Sequence, residues 1–174
     1  DAARSNKDVV VGIKIRLSAD CADDGANELE AYKRALSMRD MLGLPLMVHH
    51  SFSTIPLTGE FGAPGALKKG DIYTHCYHGF ESSIIEGGDL RKDKCVSVAC
   101  HAAKERGVYF DVGHGQGSFN WTVAEIASKE ELWPDIISTD LHKESCEGPC
   151  YDLATVITKM LILGMPLEDA IRAA

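Results

Sequence analysis

No run of apolar residues approaches the ~20 that a bilayer-spanning helix requires. The longest are strand-sized and interrupted by polar residues, so a soluble chain with no membrane partner is expected. No CxxC pair occurs among the six cysteines, and a chain with an ample core needs no staples, so reduced thiols and a cytoplasmic setting are expected. Cys146 and Cys150 flank "EGP", and without a second pair they read as loop packing rather than a zinc site. No basic cluster exists either. Eighteen Lys and Arg are scattered against 26 Asp and Glu for a net charge of −8, which argues against a nucleic-acid partner. The opening "DAARSNKD" has no basic n-region or apolar h-region and reads as no targeting signal. It also lacks an initiator Met, and the amphipathic "MPLEDAIRAA" stops abruptly, so both ends are expected to be cuts. The glycines at 113, 115 and 117 miss the G-x-G-x-x-G spacing by one residue, which weakens a dinucleotide-binding reading.

What is present is a 174-residue chain with 45% apolar residues, enough for one globular domain. Strands are predicted at 9–15, 45–50, from 71, within "VYFDVGHG" and within "DIISTDL". Helices are predicted over about 26–42, in "VSVACHAAKERG", near 122–129 and over about 151–163, with Gly107 and Gly164 as stops. This β-α alternation, five times over, predicts a parallel sheet covered by helices, either doubly wound or closed into a barrel. The long loop "SFSTIPLTGEFGAPG" and a second one after "DIYTHCY" interrupt it.

Polar residues capable of chemistry fall at or near the C-terminal ends of the later strands: His49, His75, His114 and Asp140. In a parallel α/β fold those ends gather on one face. Taken singly, each has a plain alternative, a hydrogen-bonded packing histidine or a turn-capping aspartate. Together, imidazole and carboxylate donors converging from separate strands suit zinc or a similar divalent ion, and two such ions can activate a water. Lys14, inside "VVGIKIRLS", is the odd member. A buried ammonium must be paired, neutral or chemically converted, and a salt bridge to Asp140 is the plain alternative.

"VVGIKIRLS", "PLMVHH", "GDIYTHCYHG", "ERGVYFDVGHGQGSFNW", "PDIISTDLH" and "GPCYDLATVITKMLILGM" together resemble the dihydroorotase-like amidohydrolase/deacetylase branch of the amidohydrolase superfamily, in order and over nearly the whole chain. The resemblance implies a (β/α)8 TIM-barrel fold, here a partial barrel of strands 4–8 and their helices. It implies that Lys14, ending strand four, is carboxylated to a carbamate joining two metals. His49 and His75 would ligate the more exposed metal. Asp140 would ligate the other and act as general base, then as acid toward the leaving group. His114 and Gly115 of "GHGQGSF" become candidates for substrate contact, where a tight glycine loop is the alternative. Arg16 would bind a substrate carboxylate or pair with an acidic neighbour. His50, His78, His101 and His142 are left as structural or surface residues, with Tyr77 and His78 as possible pocket walls.

The match departs from the family in one respect: its first-strand His-x-His pair is missing before Lys14. A whole barrel takes ~250 residues, so residues 1–174 are expected to be the C-terminal part, without strands 1–3 or any flanking β-domain. The function implied is a metal-dependent hydrolase cleaving an amide or ester of a small acylated compound, with zinc favoured by the donor set. The alternatives are a catalytically incomplete fragment acting only in an assembly, and a phosphate- or nucleotide-binding α/β module using "GHGQGS". Exposed strand edges make self-association or a homo-oligomer the expected state.

Overall fold

The computed structural model describes residues 2–87 and 93–174. In chain order the elements are α1 (Ala2–Ser5), β1 (Ile13–Leu17), α2 (Glu28–Leu42), β2 (Leu46–His50), β3 (Ile72–Thr74), β4 (Ile85–Gly87), β5 (Lys94–Val96), α3 (Val98–Glu105), β6 (Tyr109–Asp111), α4 (Trp121–Lys129), α5 (Leu153–Ile162) and α6 (Leu167–Ala173). Among the described residues no helix is long and apolar enough to cross a membrane.

The main sheet has the order β1-β2-β3-β6, and every pairing is parallel. Sheet order follows chain order with no reversal, whereas a doubly wound sheet turns back at a switch point. The alternative left open by periodicity is thereby decided: this is an arc of a (β/α)8 barrel, with β1 at one edge. A single parallel bridge, Asp111 to Ile136, continues the arc.

Three predicted elements differ. The first strand lies at 13–17 rather than 9–15, since Val9 and Val11 are exposed and unpaired with the sheet. Lys14 is therefore the second residue of its strand and does not end it. The fifth strand, in "DIISTDL", is reduced to that one bridge, because the Asp135 side chain accepts from the Phe110 N–H and the Asp135 and Ile136 N–H groups both converge on the Phe110 carbonyl. Finally, the long loop expected after β3 contains the antiparallel hairpin β4–β5. Its residues 88–92 lie outside the described residues.

Strand alternation sorts side chains onto two faces. Leu17, Leu46, Val48, His50, Tyr73 and Phe110 are buried on the helix-covered face. The residues between them, Lys14, Arg16, Met47, His49, Thr74 and Asp111, share the inner face by register. Helix ends follow local chemistry. Asn120 accepts from the Thr122 and Val123 N–H groups, and Asp152 from Thr155. Gly43, at φ 64°, ends α2.

One buried ion pair ties α2 to the start of two strands. Arg39 Nη1 lies 2.7 Å from Asp71 Oδ2, and the same carboxylate accepts from Leu46 N at 2.9 Å and Lys68 N at 2.8 Å. Asp71→Ala strips all three at once and leaves a guanidinium buried. The expected cost is about 3–5 kcal/mol, read as a lower midpoint in urea denaturation.

Candidate functional site

His49 is the fourth residue of β2 and faces inward; His50, the next, faces the helices. There His50 Nε2 lies 2.8 Å from the Ile55 carbonyl and Nδ1 lies 3.0 Å from the Tyr73 hydroxyl. The doubled histidine is thus divided by strand geometry into one site residue and one core residue. His75 follows β3 in a left-handed conformation, φ 65°, and its ring meets that of His49 edge to face, with centroids 4.2 Å apart.

Each ring has one nitrogen tied down. His75 Nδ1 lies 2.6 Å from the Gly113 carbonyl. A carbonyl only accepts, so Nδ1 carries the proton and Nε2 keeps the lone pair. His49 Nε2 pairs with Ser51 Oγ at 2.7 Å, which leaves Nδ1 as the nitrogen without a protein partner among the described residues. Gly113 is needed for this arrangement: at its φ of 46° a Cβ would collide with Thr74 Oγ1 and lie 2.7 Å from His75 Nδ1.

Both imidazoles are neutral at ordinary pH. Burial pulls the His49 pKa down to about 3, helped by the neighbouring His75 and the positive charges of Arg16 and Lys14. Burial also lowers that of His75, against the opposing pull of the Gly113 carbonyl and Asp140. Two neutral imidazoles in contact, each with one nitrogen oriented and one free, suit a divalent cation. Among the described residues no group of three or more His, Cys, Asp and Glu side chains forms a metal cluster. The fit is therefore to a two-nitrogen half-site, which needs a further anionic donor.

Two residues named from the sequence stand near enough to be felt electrostatically. Asp140 sits at φ 45°, and a Cβ on Gly115 would lie 3.1 Å from its Oδ2, so Gly115 gives that carboxylate room. Lys14 is exposed on the inner face, and its charge is felt at both histidines. The Lys14–Asp140 salt bridge offered as the plain alternative is not formed among the described residues.

Arg16 lies 3.7 Å from Asp20, with both side chains 54% exposed, so the loose acidic pairing is what it adopts. His114 was a candidate for substrate contact, with a tight glycine loop as the alternative. Its ring is fully buried, with Nδ1 on the Gly115 carbonyl and Nε2 on Lys159. The six cysteines are all free. Cys146 and Cys150 each point a thiol at a backbone carbonyl, of Lys143 and Thr139 respectively.

Arg16, His49 and Asp140 open onto one cleft of about 420 Å³, which Ser51, Phe52, Phe80, Gln116 and His142 also line. Ser51 and Phe52 belong to the long loop that the sequence reading expects to shape the pocket, whereas Phe80 and Gln116 went unnamed and His142 was set aside as structural; these three lie in loops without periodic signal. The cleft's lip is anchored from below. Buried Glu28, at the start of α2, accepts from Ser53 Oγ at 2.8 Å, Thr54 N at 2.7 Å and Thr54 Oγ1 at 2.6 Å. Asp111, a second buried carboxylate that sequence reading missed, accepts from Thr74 Oγ1 at 2.5 Å and Ser138 Oγ at 2.7 Å.

His78 lies deeper and sets a pH limit. Its Nε2 is the one buried side-chain nitrogen or oxygen without a hydrogen-bond partner among the described residues. Burial first, then His50 and His75, brings its pKa from 6.5 to about 3. The unfolded chain therefore takes up this proton at higher pH than the folded one. Stability is complete above the unfolded value and is lost as pH falls through the window toward 3, by up to about 1.4 kcal/mol per pH unit. Denaturation midpoints measured across that window are expected to fall less steeply in His78→Gln than in the parent.

A one-way parallel arc with paired histidines at its strand ends is a partial TIM barrel whose candidate site lies where barrel active sites lie. The chain belongs to the amidohydrolase superfamily. No family model matches it. It is 41% identical over 166 residues to a deacetylase of Enterococcus faecalis, covering 94% of this chain and 42% of that protein. With a deacetylase of Brucella anthropi it shares 36% over 178 residues, 97% of this chain and 40% of that one. Among solved structures it is similar to an adenine deaminase (TM-score 0.80, 37% identity, 99% of this chain and 45% of that chain) and to a dihydroorotase (0.80, 32%, 99% and 42%). The chain thus spans about two-fifths of the length of the curated relatives it matches.

Proposed function

We propose that the natural full-length protein is a metal-dependent hydrolase that cleaves an amide or ester bond of a small acylated compound, and that residues 1–174 are the C-terminal part of its barrel. The observation that carries this reading is the His49–His75 pair, neutral, in contact and with complementary nitrogens engaged, at the ends of adjacent parallel strands. The deacetylase names of the relatives support an acyl substrate.

A divalent ion, with zinc favoured by imidazole and carboxylate donors, would supply an electrophile for the acyl carbonyl and make nearby water more acidic. His49 and His75 would hold one such ion and Asp140 a second, with a carboxylated Lys14 as an anionic donor to both. Asp140, open to the cleft, takes the proton from the attacking water and returns it to the departing amine or alcohol. Arg16 lies beside His49 in the cleft and, because its pairing with Asp20 is loose, can turn to an anionic group on the substrate. Gly115 keeps the loop opposite Asp140 clear.

The test is elemental analysis of the full-length protein together with hydrolysis of a panel of small N-acetyl and O-acetyl compounds, with and without chelator. Bound divalent metal and chelator-sensitive release of acetate are expected. A protein that holds no metal and hydrolyses none of the panel would be a non-catalytic scaffold instead.

The isolated 174-residue chain is expected to behave differently. Its β1 edge and inner face are open, and unpaired strand edges recruit other chains. Sedimentation of this chain should show self-association; a monodisperse monomer would rule that out.

A further inference from the structure

Lys159 lies on α5, 45 residues from His114, yet its Nζ is 2.7 Å from His114 Nε2. Because His114 Nδ1 donates to the Gly115 carbonyl at 2.9 Å, Nε2 carries the lone pair and the ammonium is its donor. The same ammonium donates to the Pro149 carbonyl at 2.9 Å. It also lies 5.2 Å from the centroid of Phe119, whose ring stacks on His114 at 4.8 Å and 8°. The imidazole is thereby held by a charge-assisted bond on one side and an aromatic face on another.

The backbone around His114 touches both halves of the candidate site. On one side, the Gly113 carbonyl holds His75 Nδ1. On the other, His114 N and Gly115 N donate to the Ser138 and Thr139 carbonyls at 3.2 Å and 2.8 Å, the second of these immediately before Asp140. A shift of residues 113–115 would therefore move His75 and Asp140 relative to each other.

We propose that Lys159 is a positioning residue, which through its bond to His114 locks residues 113–115 and so sets the spacing of His75 and Asp140. The inference rests on the hydrolase reading of that site. Removing the ammonium leaves a buried acceptor without a donor, and the ring can regain one only by turning.

Lys159→Met in the full-length protein tests it, with 4-nitrophenyl acetate as the ester probe and nitrogen NMR of the His114 ring as the direct readout. The Nε2 resonance is expected to move to that of an unbonded ring nitrogen. Turnover is expected to fall about 10–100-fold, as for other supporting partners of a site. KM should stay within about threefold, since ground-state binding is untouched. Lys159→Arg, which keeps a charged donor, should recover part of both signals and serves if the Met variant does not fold. An unmoved Nε2 resonance overturns the proposal, as does a crystal structure of the variant with an unchanged His75–Asp140 separation. The underlying reading fails separately: undiminished turnover in Asp140→Asn would remove Asp140 from the chemistry, while the resonance and the crystal structure still decide the part played by Lys159.

Discussion

Asp140→Asn in the full-length protein is expected to lower turnover by roughly 10²–10⁴, the usual contribution of a positioned general base, while at least one metal stays bound. The amide keeps an oxygen of similar shape and reach but cannot take a proton. The structure makes this a clean substitution. Asp140 is exposed to the cleft, no helix depends on it, and Gly115 leaves the space in front of its Oδ2 open. Its left-handed backbone, φ 45°, also tolerates asparagine better than most residues. Steady-state kinetics with elemental analysis on the same sample is the check. A rate within about threefold of the parent, far below a general-base contribution, would place the base elsewhere.

Lys14→Ala is expected to remove hydrolysis and most bound metal together. The two imidazoles make only half a site, and among the described residues no carboxylate or thiolate cluster completes it. An uncarboxylated lysine would worsen matters, because its charge is felt at both His49 and His75 and opposes a cation between them. Carboxylation reverses that sign at the same position, turning a repelling group into an anionic donor. Lys14 has the room, since it is exposed on the inner face and makes no ion pair among the described residues. Incorporation of isotope-labelled bicarbonate, followed by carbon NMR, reads the carbamate directly, and acetate added to Lys14→Ala should restore some metal. Full metal content and full activity in Lys14→Ala would sink the carbamate.

The alternation of strands and helices was legible in the sequence, and with it the position of His49 near the C-terminal end of its strand. Period-two geometry then separates it from His50 without further information. Periodicity alone left barrel against doubly wound sheet open, because that depends on strand order, which no local pattern encodes; the family resemblance implied the barrel, and the strand order bears it out. The first strand was placed early because three valines at 9–11 have high strand propensity, yet nothing packs on Val9 or Val11. The β4–β5 hairpin was missed because three-residue strands carry too little periodicity to register. The bonds of His114 were illegible for a different reason. Its partner Lys159 lies on another element, and only the folded chain shows that both ring nitrogens are already used. Asp111 escaped likewise, as its hydroxyl donors come from residues 37 and 27 positions away.

The carboxylate of Glu28 bonds the cleft's lip only at Ser53 and Thr54, immediately after Phe52. Everything from there to the Tyr32–Gly62 hydrogen bond spans two fixed posts. Loops held that way can exchange their intervening residues while their ends stay put. Phe52, which lines the cleft one residue ahead of the first post, is thus held from behind: substitutions there would reshape the pocket wall while the Glu28 bonds keep the following backbone in place.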